Sequence, residues 1–270
     1  MAEKRNNKQK KKKKKKKKKF RKLFVSTAAF ITAAVVVVFC LYYVYFKTPY
    51  FEITQVDVAG NVLYKKDYII EQSHVDEGER LFSVDRAKVK ENLEKEIYVE
   101  SARVVYELPN KIYIEIKERV ENYQIHYNNE YIVTDKSGIA LRTSAEKNDL
   151  LTIESLTDVL YNIGNTAEFA GIDNINNIFD TIEYLKGEFG SETIKGITAC
   201  KDNSVMINTE YGTVIRIKLG EDIKYQIVFA MKIINERLNN NLTVASGLID
   251  FTKGDSPVYI EDYKMEDYNE

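Results

Sequence analysis

The sequence has 270 residues, 44% of them hydrophobic and 30% charged, so it has room for one or two folded domains and does not fit the fully disordered class. Three prolines exclude a collagen-like chain, and two cysteines, Cys40 and Cys200, exclude a disulfide scaffold and a cysteine-based zinc cluster. The net charge of −1 hides an asymmetry, because residues 1–22 hold 15 basic residues and one acidic residue, whereas residues 23–270 hold 25 basic and 40 acidic residues.

Residues 23–46 form an uncharged run of 24 residues, which predicts a transmembrane helix. Such a helix would be about 36 Å long, enough to cross a hydrocarbon core of about 30 Å with some tilt. A buried core helix is the first alternative, but the run is too long for it and its flank too basic. A cleaved signal peptide is the second, but it has a shorter apolar region and a small-residue cleavage site. The run therefore indicates an uncleaved signal anchor.

The basic segment, residues 1–22, predicts the orientation of the anchor, because basic flanks stay on the cytoplasmic side. The amino terminus is expected inside and the bulk of the chain outside. Ten consecutive lysines, residues 10–19, favour binding to anionic lipid. Nucleic-acid binding and a merely solvated tail are the other interpretations, and the first of these lacks interleaved aromatic residues. The membrane-surface candidates are Lys10, Lys19, Arg21 and Lys22.

Residues 50–119 predict a first external domain with the order strand, helix, helix, strand, strand. The strands are expected at residues 53–59, 100–108 and 111–119, and the helices at 65–73 and after the capping candidates Ser83 and Asp85. Leu81 and Phe82 are expected in the core, as are Val89, Leu93 and Ile97 on the inner face of the second helix. The pattern is that of a small α+β domain.

Residues 120–260 predict a second external domain that is rich in strands. A hairpin is expected around Asn128 and Asn129, followed by a turn and a strand at residues 139–142. Residues 143–173 are weakly patterned and predict no element. The later elements are three strands between residues 194 and 219, two amphipathic helices, final strands at 248–252 and 257–260, and a loose acidic tail at 261–270. The helices are expected around residues 175–189 and 223–238.

Several segments resemble the FtsQ/DivIB family of bacterial cell-division proteins. Residues 51–61 resemble the opening strand and turn of its POTRA domain, 81–85 the entry to its second helix, and 98–104 with 108–119 its closing hairpin. Residues 247–251 resemble a Gly-x-Ile-Asp-Leu segment that the family usually follows with arginine, whereas Thr252 stands here. The resemblance implies an α+β chain with a basic tail, one transmembrane helix, a POTRA domain (βααββ) and a mixed, antiparallel-rich β domain.

Catalytic, cofactor and metal sites are not indicated. His74 and His126 are the only histidines, and neither lies in a pattern that places it beside a nucleophile. Adjacent acidic pairs do not face each other on a helix or strand, so they make poor catalytic dyads. The sequence therefore predicts a chain that is not an enzyme and carries no cofactor and no metal.

The remaining interpretation of the external part is a scaffold that binds other proteins. A sheet edge is the feature through which it could bind them, because an edge presents unpaired backbone N–H and C=O groups. The last two strands are predicted as that edge, with the alternative that they only close the core. The candidate partner-binding residues are Leu248, Ile249, Asp250, Phe251, Thr252, Val258, Tyr259 and Ile260.

The sequence and the resemblance together predict a single-pass protein of the division septum that works by non-covalent assembly. The resemblance implies two partners, a FtsB/DivIC-like and a FtsL-like bitopic coiled-coil protein; no nucleic acid is expected. An extracytoplasmic ligand-binding or sensor domain is the alternative, and it requires a roomy apolar pocket. A secretion or outer-membrane assembly factor is a third, but it usually brings several POTRA units or a barrel.

Overall fold

The computed structural model describes residues 27, 29–220, 222–254 and 256–263. The predicted basic tail, with Lys10, Lys19, Arg21 and Lys22, lies outside the described residues, as do most of the first residues of the predicted transmembrane run and most of the acidic tail.

Among the described residues, one helix, α1 (Ala29–Lys47), is long and apolar enough to cross a membrane. Its 19 residues correspond to about 28 Å, close to the thickness of a bilayer core. No part of its apolar span is buried against the protein. The helix ends one residue after the predicted run.

The described residues fall into two compact units, the first comprising residues up to 93 together with 101–116, and the second comprising 94–100 together with 117 onward. Residues 94–100 belong to the second unit although they precede 101–116 of the first. The predicted domain limits, 50–119 and 120–260, stay a proposal.

The order strand, helix, helix, strand, strand is confirmed for the first part of the chain. The elements are β1 (Gln55–Ala59), α2 (Lys66–Ser73), α3 (Arg86–Leu93), β2 (Val99–Glu107) and β3 (Lys111–Glu118). These strands form a sheet with the order β1-β3-β2, in which β1 and β3 run parallel. The α+β class is therefore confirmed here.

The core of the first part includes alternate residues of β3 and residues on both sides of α3. Ile112, Ile114 and Ile116 of β3 are all buried, as are Leu81 before α3 and Leu93 at its end. Single turns of 3₁₀ helix lie at Pro49–Phe51 and Leu81–Ser83.

Two predicted core residues are exposed. Phe82 is 49% exposed, because successive residues of the 3₁₀ turn point in different directions and Leu81 already faces the core. Ile97 is 38% exposed, because α3 ends at Leu93 and the helical spacing does not continue to it. Of the two predicted caps for α3, Asp85 accepts hydrogen bonds from the N–H groups of Ala87 and Lys88, at 2.9 and 3.3 Å.

The second unit is built on a mixed sheet. The elements are β4 (Tyr123–Tyr127), β5 (Glu130–Thr134), β6 (Ala140–Ser144), β7 (Leu151–Ser155), β8 (Val159–Leu160), β9 (Glu168–Phe169), α4 (Asn176–Phe189), β10 (Ile194–Ala199), β11 (Ser204–Thr209), β12 (Val214–Lys218), α5 (Ile223–Asn239), β13 (Leu248–Asp250) and β14 (Val258–Ile260). Nine of these strands pair, among the described residues, in the order β14-β13-β12-β11-β10-β7-β4-β5-β6. Antiparallel pairs outnumber parallel ones, as predicted.

A row of isoleucines crosses the helix-covered face of this sheet. Seven neighbouring strands each contribute one isoleucine at the same level of the register, and each of these side chains has an exposed fraction of 0%. They are Ile132, Ile125, Ile153, Ile197, Ile207, Ile215 and Ile249. The inner faces of α4 and α5 pack on this row and complete one hydrophobic core. The row fixes the register, because a slip of one residue would move an isoleucine to the other face.

The weakly patterned segment contains a central strand. β7 pairs in parallel with both β4 and β10, and so joins the two halves of the sheet. The side chain of Gln124 positions the chain before β7: its Nε2 donates to the carbonyl oxygens of Asn148 and Leu150, and its Oε1 accepts from the N–H of Asn148.

Candidate protein-interaction site at the carboxy-terminal sheet edge

The two final strands occupy different positions in the sheet. β14 is the outermost strand, and among the described residues no strand pairs with its outer side. β13 lies between β12 and β14, and its residues Leu248, Ile249 and Asp250 are buried. The prediction that both strands form the edge is therefore wrong for β13, because its parallel pairing with β12 leaves only β14 outermost.

The hydrogen-bond pattern shows which backbone groups of β14 point outward. The N–H of Val214 donates to the carbonyl of Gly247 at 2.7 Å, and the N–H of Phe251 donates to the carbonyl of Arg216 at 3.0 Å. The backbones of residues 247, 249 and 251 therefore face β12, and those of residues 248 and 250 face β14, because the direction alternates along a strand.

The register between β13 and β14 shows which backbone groups of β14 face inward. Leu248 lies opposite Ile260 and Asp250 opposite Val258, so the backbones of Val258 and Ile260 face inward. The N–H and C=O of Tyr259 consequently point away from the sheet, where an added strand would pair.

The opposite edge of the same sheet is partly covered. At the start of β6, the N–H of Ala140 donates to the carbonyl of Asn165 at 2.9 Å, and its carbonyl accepts from the N–H of Gly164 at 2.8 Å. A bridge between Ile139 and Thr166 extends this cover. The edge at β14 is therefore the more open of the two for the described residues.

The side chain of Tyr259 fastens the edge strand to the end of α5. The guanidinium of Arg237 lies over the Tyr259 ring, 3.8 Å from its centroid, and donates to Glu261 Oε1 at 2.8 Å. The backbone of Gly247 lies against the same ring, since a Cβ at this position would come within 2.2 Å of the Tyr259 hydroxyl oxygen. Arg237 therefore supports the edge strand, and no pattern in the sequence indicates this role.

A buried carboxylate holds the chain that leads to the edge strand. Asp250 Oδ1 accepts from the N–H of Thr252 at 2.8 Å and from its hydroxyl at 2.6 Å. Asp250 Oδ2 lies 3.6 Å from Arg216 Nη1, and Arg216 Nη2 donates to Asp202 Oδ2 at 2.6 Å. Thr252, which stands where the related segment usually carries arginine, therefore has a structural role here.

The candidate residues thus separate into two groups. Val258, with an exposed fraction of 42%, and the partly exposed Tyr259 and Ile260 lie on the edge strand, while Phe251 and Thr252 lie in the connection before it. Whether any of them binds a partner stays a prediction.

The turn predicted before the strand at residues 139–142 is built around Asp135. Asp135 Oδ1 accepts from the N–H groups of Ser137 and Ile139, at 2.8 and 3.0 Å, and Oδ2 accepts from Arg119 at 2.6 Å. Gly138 has a φ of +79°, and a Cβ there would meet the ring of Phe179 at 2.7 Å. The turn needs glycine for both reasons.

Two pKa values are shifted at the neighbouring ion pair between Arg142 and Glu121. Arg142 donates two hydrogen bonds to Glu121, at 2.7 and 2.8 Å, and holds the pKa of this carboxyl below its ordinary value. The Tyr98 hydroxyl donates to Glu121 at 2.8 Å, and burial together with this hydrogen bond raises the pKa of Tyr98 to about 12. These groups support the fold at the edge opposite β14.

The described residues contain no group of three or more His, Cys, Asp or Glu side chains that could hold a metal ion. His126 Nδ1 lies 2.6 Å from Glu154 Oε2, and the imidazole stacks on the ring of Tyr131. The absence of catalysis, of a cofactor and of a metal stays a prediction.

The comparisons with known proteins give a family-model match and several relatives. Residues 51–119 match the family model described as POTRA domain, FtsQ-type. The chain is 33% identical over 113 residues to the cell division protein DivIB of Clostridium acetobutylicum. This alignment covers 41% of this chain and 45% of the relative. It is 31% identical over 121 residues to DivIB of Clostridium tetani, covering 44% of this chain and 46% of the relative.

A longer alignment joins this chain to the cell division protein FtsQ of Syntrophotalea carbinolica, at 24% identity over 209 residues, which covers 76% of this chain and 71% of the relative. The matches to the two DivIB proteins span a little under half of each relative. The POTRA match, the order of the elements and the named relatives agree: this chain is similar to the FtsQ/DivIB cell-division proteins, and its residues 51–119 match a POTRA domain of the FtsQ type.

Proposed function

We propose that the protein is a bitopic membrane protein of the bacterial division septum and acts as a non-catalytic scaffold that recruits other divisome membrane proteins. The similarity to FtsQ/DivIB cell-division proteins and the apolar helix α1 support this proposal. The single observation that carries the mechanism is the outward-facing backbone of Tyr259 on β14.

The partners are bitopic coiled-coil proteins of the FtsB/DivIC and FtsL types, and one of them adds an extended segment to β14. Backbone hydrogen bonds to an edge strand supply affinity, and alternate side chains of the added strand supply specificity. Side chains of the added strand would contact the exposed Val258 side chain on one face of β14 and the Tyr259 ring on the other.

The amino terminus lies in the cytoplasm in this proposal, and the lysine run at residues 10–19 binds anionic lipid of the inner leaflet. Both folded units then lie on the extracytoplasmic side. Within the described ranges, we find no observation that favours the alternative of a ligand-binding or sensor domain.

Replacing Tyr259 by proline tests the docking edge, because proline removes the outward N–H and leaves the inward bonds of Val258 and Ile260 in place. We expect Tyr259→Pro to weaken association with the coiled-coil partners about tenfold or more, which corresponds to about 1.4 kcal/mol. The measurement is quantitative co-purification of both partners with the full-length chain from solubilised membranes.

The matched control is Tyr259→Val, which also removes the ring over Arg237 but keeps the N–H and a strand-forming side chain. It should retain most of the association. Equal retention by Tyr259→Pro and Tyr259→Val, with both variants folded by circular dichroism, would contradict docking at this edge. A deletion of residues 240–262 is a poorer test, because it removes the buried Leu248 and Ile249 from the core.

A further inference from the structure

The folded part of the first unit is fastened to the end of α1 by one arginine. Arg80 Nη1 donates to the carbonyl oxygens of Tyr45 and Thr48, the latter at 3.0 Å, and Nη2 donates to that of Phe46 at 3.1 Å. The last carbonyls of a helix have no partner within the helix, and a cation there also complements the helix dipole. Arg80 therefore caps α1 from the domain that follows it.

Aromatic rings continue the same contact. The ring of Phe82 lies 5.9 Å from that of Tyr45, 5.5 Å from that of Phe51 and 5.6 Å from that of Tyr106, between centroids. Phe82 nevertheless remains half exposed, so these rings do not cover it.

The position of Tyr45 sets the depth of this cluster. It lies within the last turn of α1, where the end of a helix about 28 Å long reaches the boundary between acyl chains and headgroups. Aromatic residues are enriched at this boundary. A ring that contacts Tyr45, as Phe82 does, lies close to the same depth.

The strand register brings a further apolar side chain to this end of the unit. The N–H of Thr54 donates to the carbonyl of Asn110 at 2.9 Å, so the turn between β2 and β3 lies beside the chain that leaves α1. Leu108 in this turn is 68% exposed, and Tyr50, just after α1, is also exposed. Val62 is 92% exposed but follows the far end of β1.

We propose that Tyr50, Phe82 and Leu108 form a membrane foot, which inserts into the acyl–headgroup boundary of the bilayer that α1 crosses. The occupant is phospholipid, because the patch is continuous with the membrane helix through the contact between Tyr45 and Phe82. The foot rests on the proposed membrane crossing of α1. It holds the first unit close to the bilayer, with Arg80 fixing its attachment to the helix.

Single tryptophans report on the foot, because the natural sequence contains none. We place Phe82→Trp and the matched control Val62→Trp separately in the full chain, reconstituted in phosphatidylcholine–phosphatidylglycerol nanodiscs. Lipids brominated on the first carbons of the acyl chains should quench Phe82→Trp emission about twofold or more, and leave Val62→Trp unchanged. Acrylamide, a quencher dissolved in the water, should quench the emission of Val62→Trp more strongly than that of Phe82→Trp.

A third variant, Phe39→Trp in the middle of α1, tests the membrane crossing separately from the foot. Lipids brominated near the ends of the acyl chains should quench the emission of this tryptophan. If Phe39→Trp is quenched and Phe82→Trp responds to the two quenchers as Val62→Trp does, the foot is wrong while the anchor stands. If Phe39→Trp is not quenched, the membrane crossing fails and the foot fails with it.

Adding Arg80→Gln to Phe82→Trp tests the attachment. Glutamine cannot bind three carbonyl oxygens in the planar geometry of the guanidinium, so the quenching by brominated lipid should fall. Unchanged quenching would show that Arg80 does not position the foot.

Discussion

Asp250→Ala is expected to lower the free energy of unfolding of the second unit by about 3 kcal/mol, because it breaks a buried ion pair with Arg216, whose charge the exposed Asp202 compensates only in part. Asp250 is fully buried, and the side chain of its partner Arg216 is only 12% exposed. The substitution also removes the acceptor for both hydrogen bonds of Thr252. We therefore expect the connection to β14 to loosen as well as the sheet to weaken.

The measurement is urea unfolding of the full chain, followed by circular dichroism. Asp202→Ala is the matched control: Asp202 binds the same arginine at 2.6 Å, but its side chain is 46% exposed, so its loss should cost about 1 kcal/mol or less. Equal effects of the two substitutions would contradict the assignment of Asp250 as the buried anchor. Adding Arg216→Met to Asp250→Ala should restore part of the lost stability, because it removes a largely buried charge that has lost its buried partner.

Gly60→Ala is expected to destabilise the first unit by about 3 kcal/mol, from a left-handed backbone conformation together with a steric clash. Gly60 has a φ of +82°, and a Cβ there would come within 1.9 Å of the carbonyl oxygen of Ile116. Since the contact is with backbone, no side-chain rotation relieves it. β1 would have to move away from β3, with which it pairs in parallel.

Gly78→Ala is the matched control, because it introduces the backbone strain without the steric clash. Gly78 has a similar φ of +87°, but a Cβ at this position would meet open space within 4 Å, so only about 1–2 kcal/mol should be lost. Hydrogen exchange of the β1 and β3 amides in the full chain measures both effects locally. Similar losses of protection for Gly60→Ala and Gly78→Ala would mean that close packing against Ile116 is unimportant.

The elements that could be predicted are those with a strong local signal. The alternation of Ile112, Ile114 and Ile116 predicts β3, and the paired asparagines Asn128 and Asn129 predict a tight hairpin turn that the structure forms with positive φ at both. The helical stripes predict α4 and α5 to within a few residues. In each case the residues that determine the element lie close together in the sequence.

The central strand β7 could not be predicted, because its determinants are distant in the sequence. It has five residues, too few for a firm alternation, and its position depends on pairing with β4 and β10. The approach of the chain to β7 is held by Gln124, 24 residues before Asn148. Nothing local distinguishes this glutamine from a solvated one.

The candidate site is predictable only in part, for a related reason. The order of strands along the chain does not give their order in a mixed sheet, so the sequence places Leu248 and Ile249 at the edge although β13 is interior. The register and the hydrogen bonds of β12 are needed to identify Tyr259 as the outward-facing residue. Arg237, which packs on that ring, lies on another element and carries no signal in the sequence.

The most direct test of the central claim, a membrane scaffold of the division septum, is the location of the full chain in dividing cells. A fluorescent protein fused to the amino terminus should form a band at mid-cell that narrows as the septum closes. The same fusion to residues 1–50 alone provides the control and should mark the whole membrane. A full-length fusion that marks the membrane evenly, as this control does, would contradict the account.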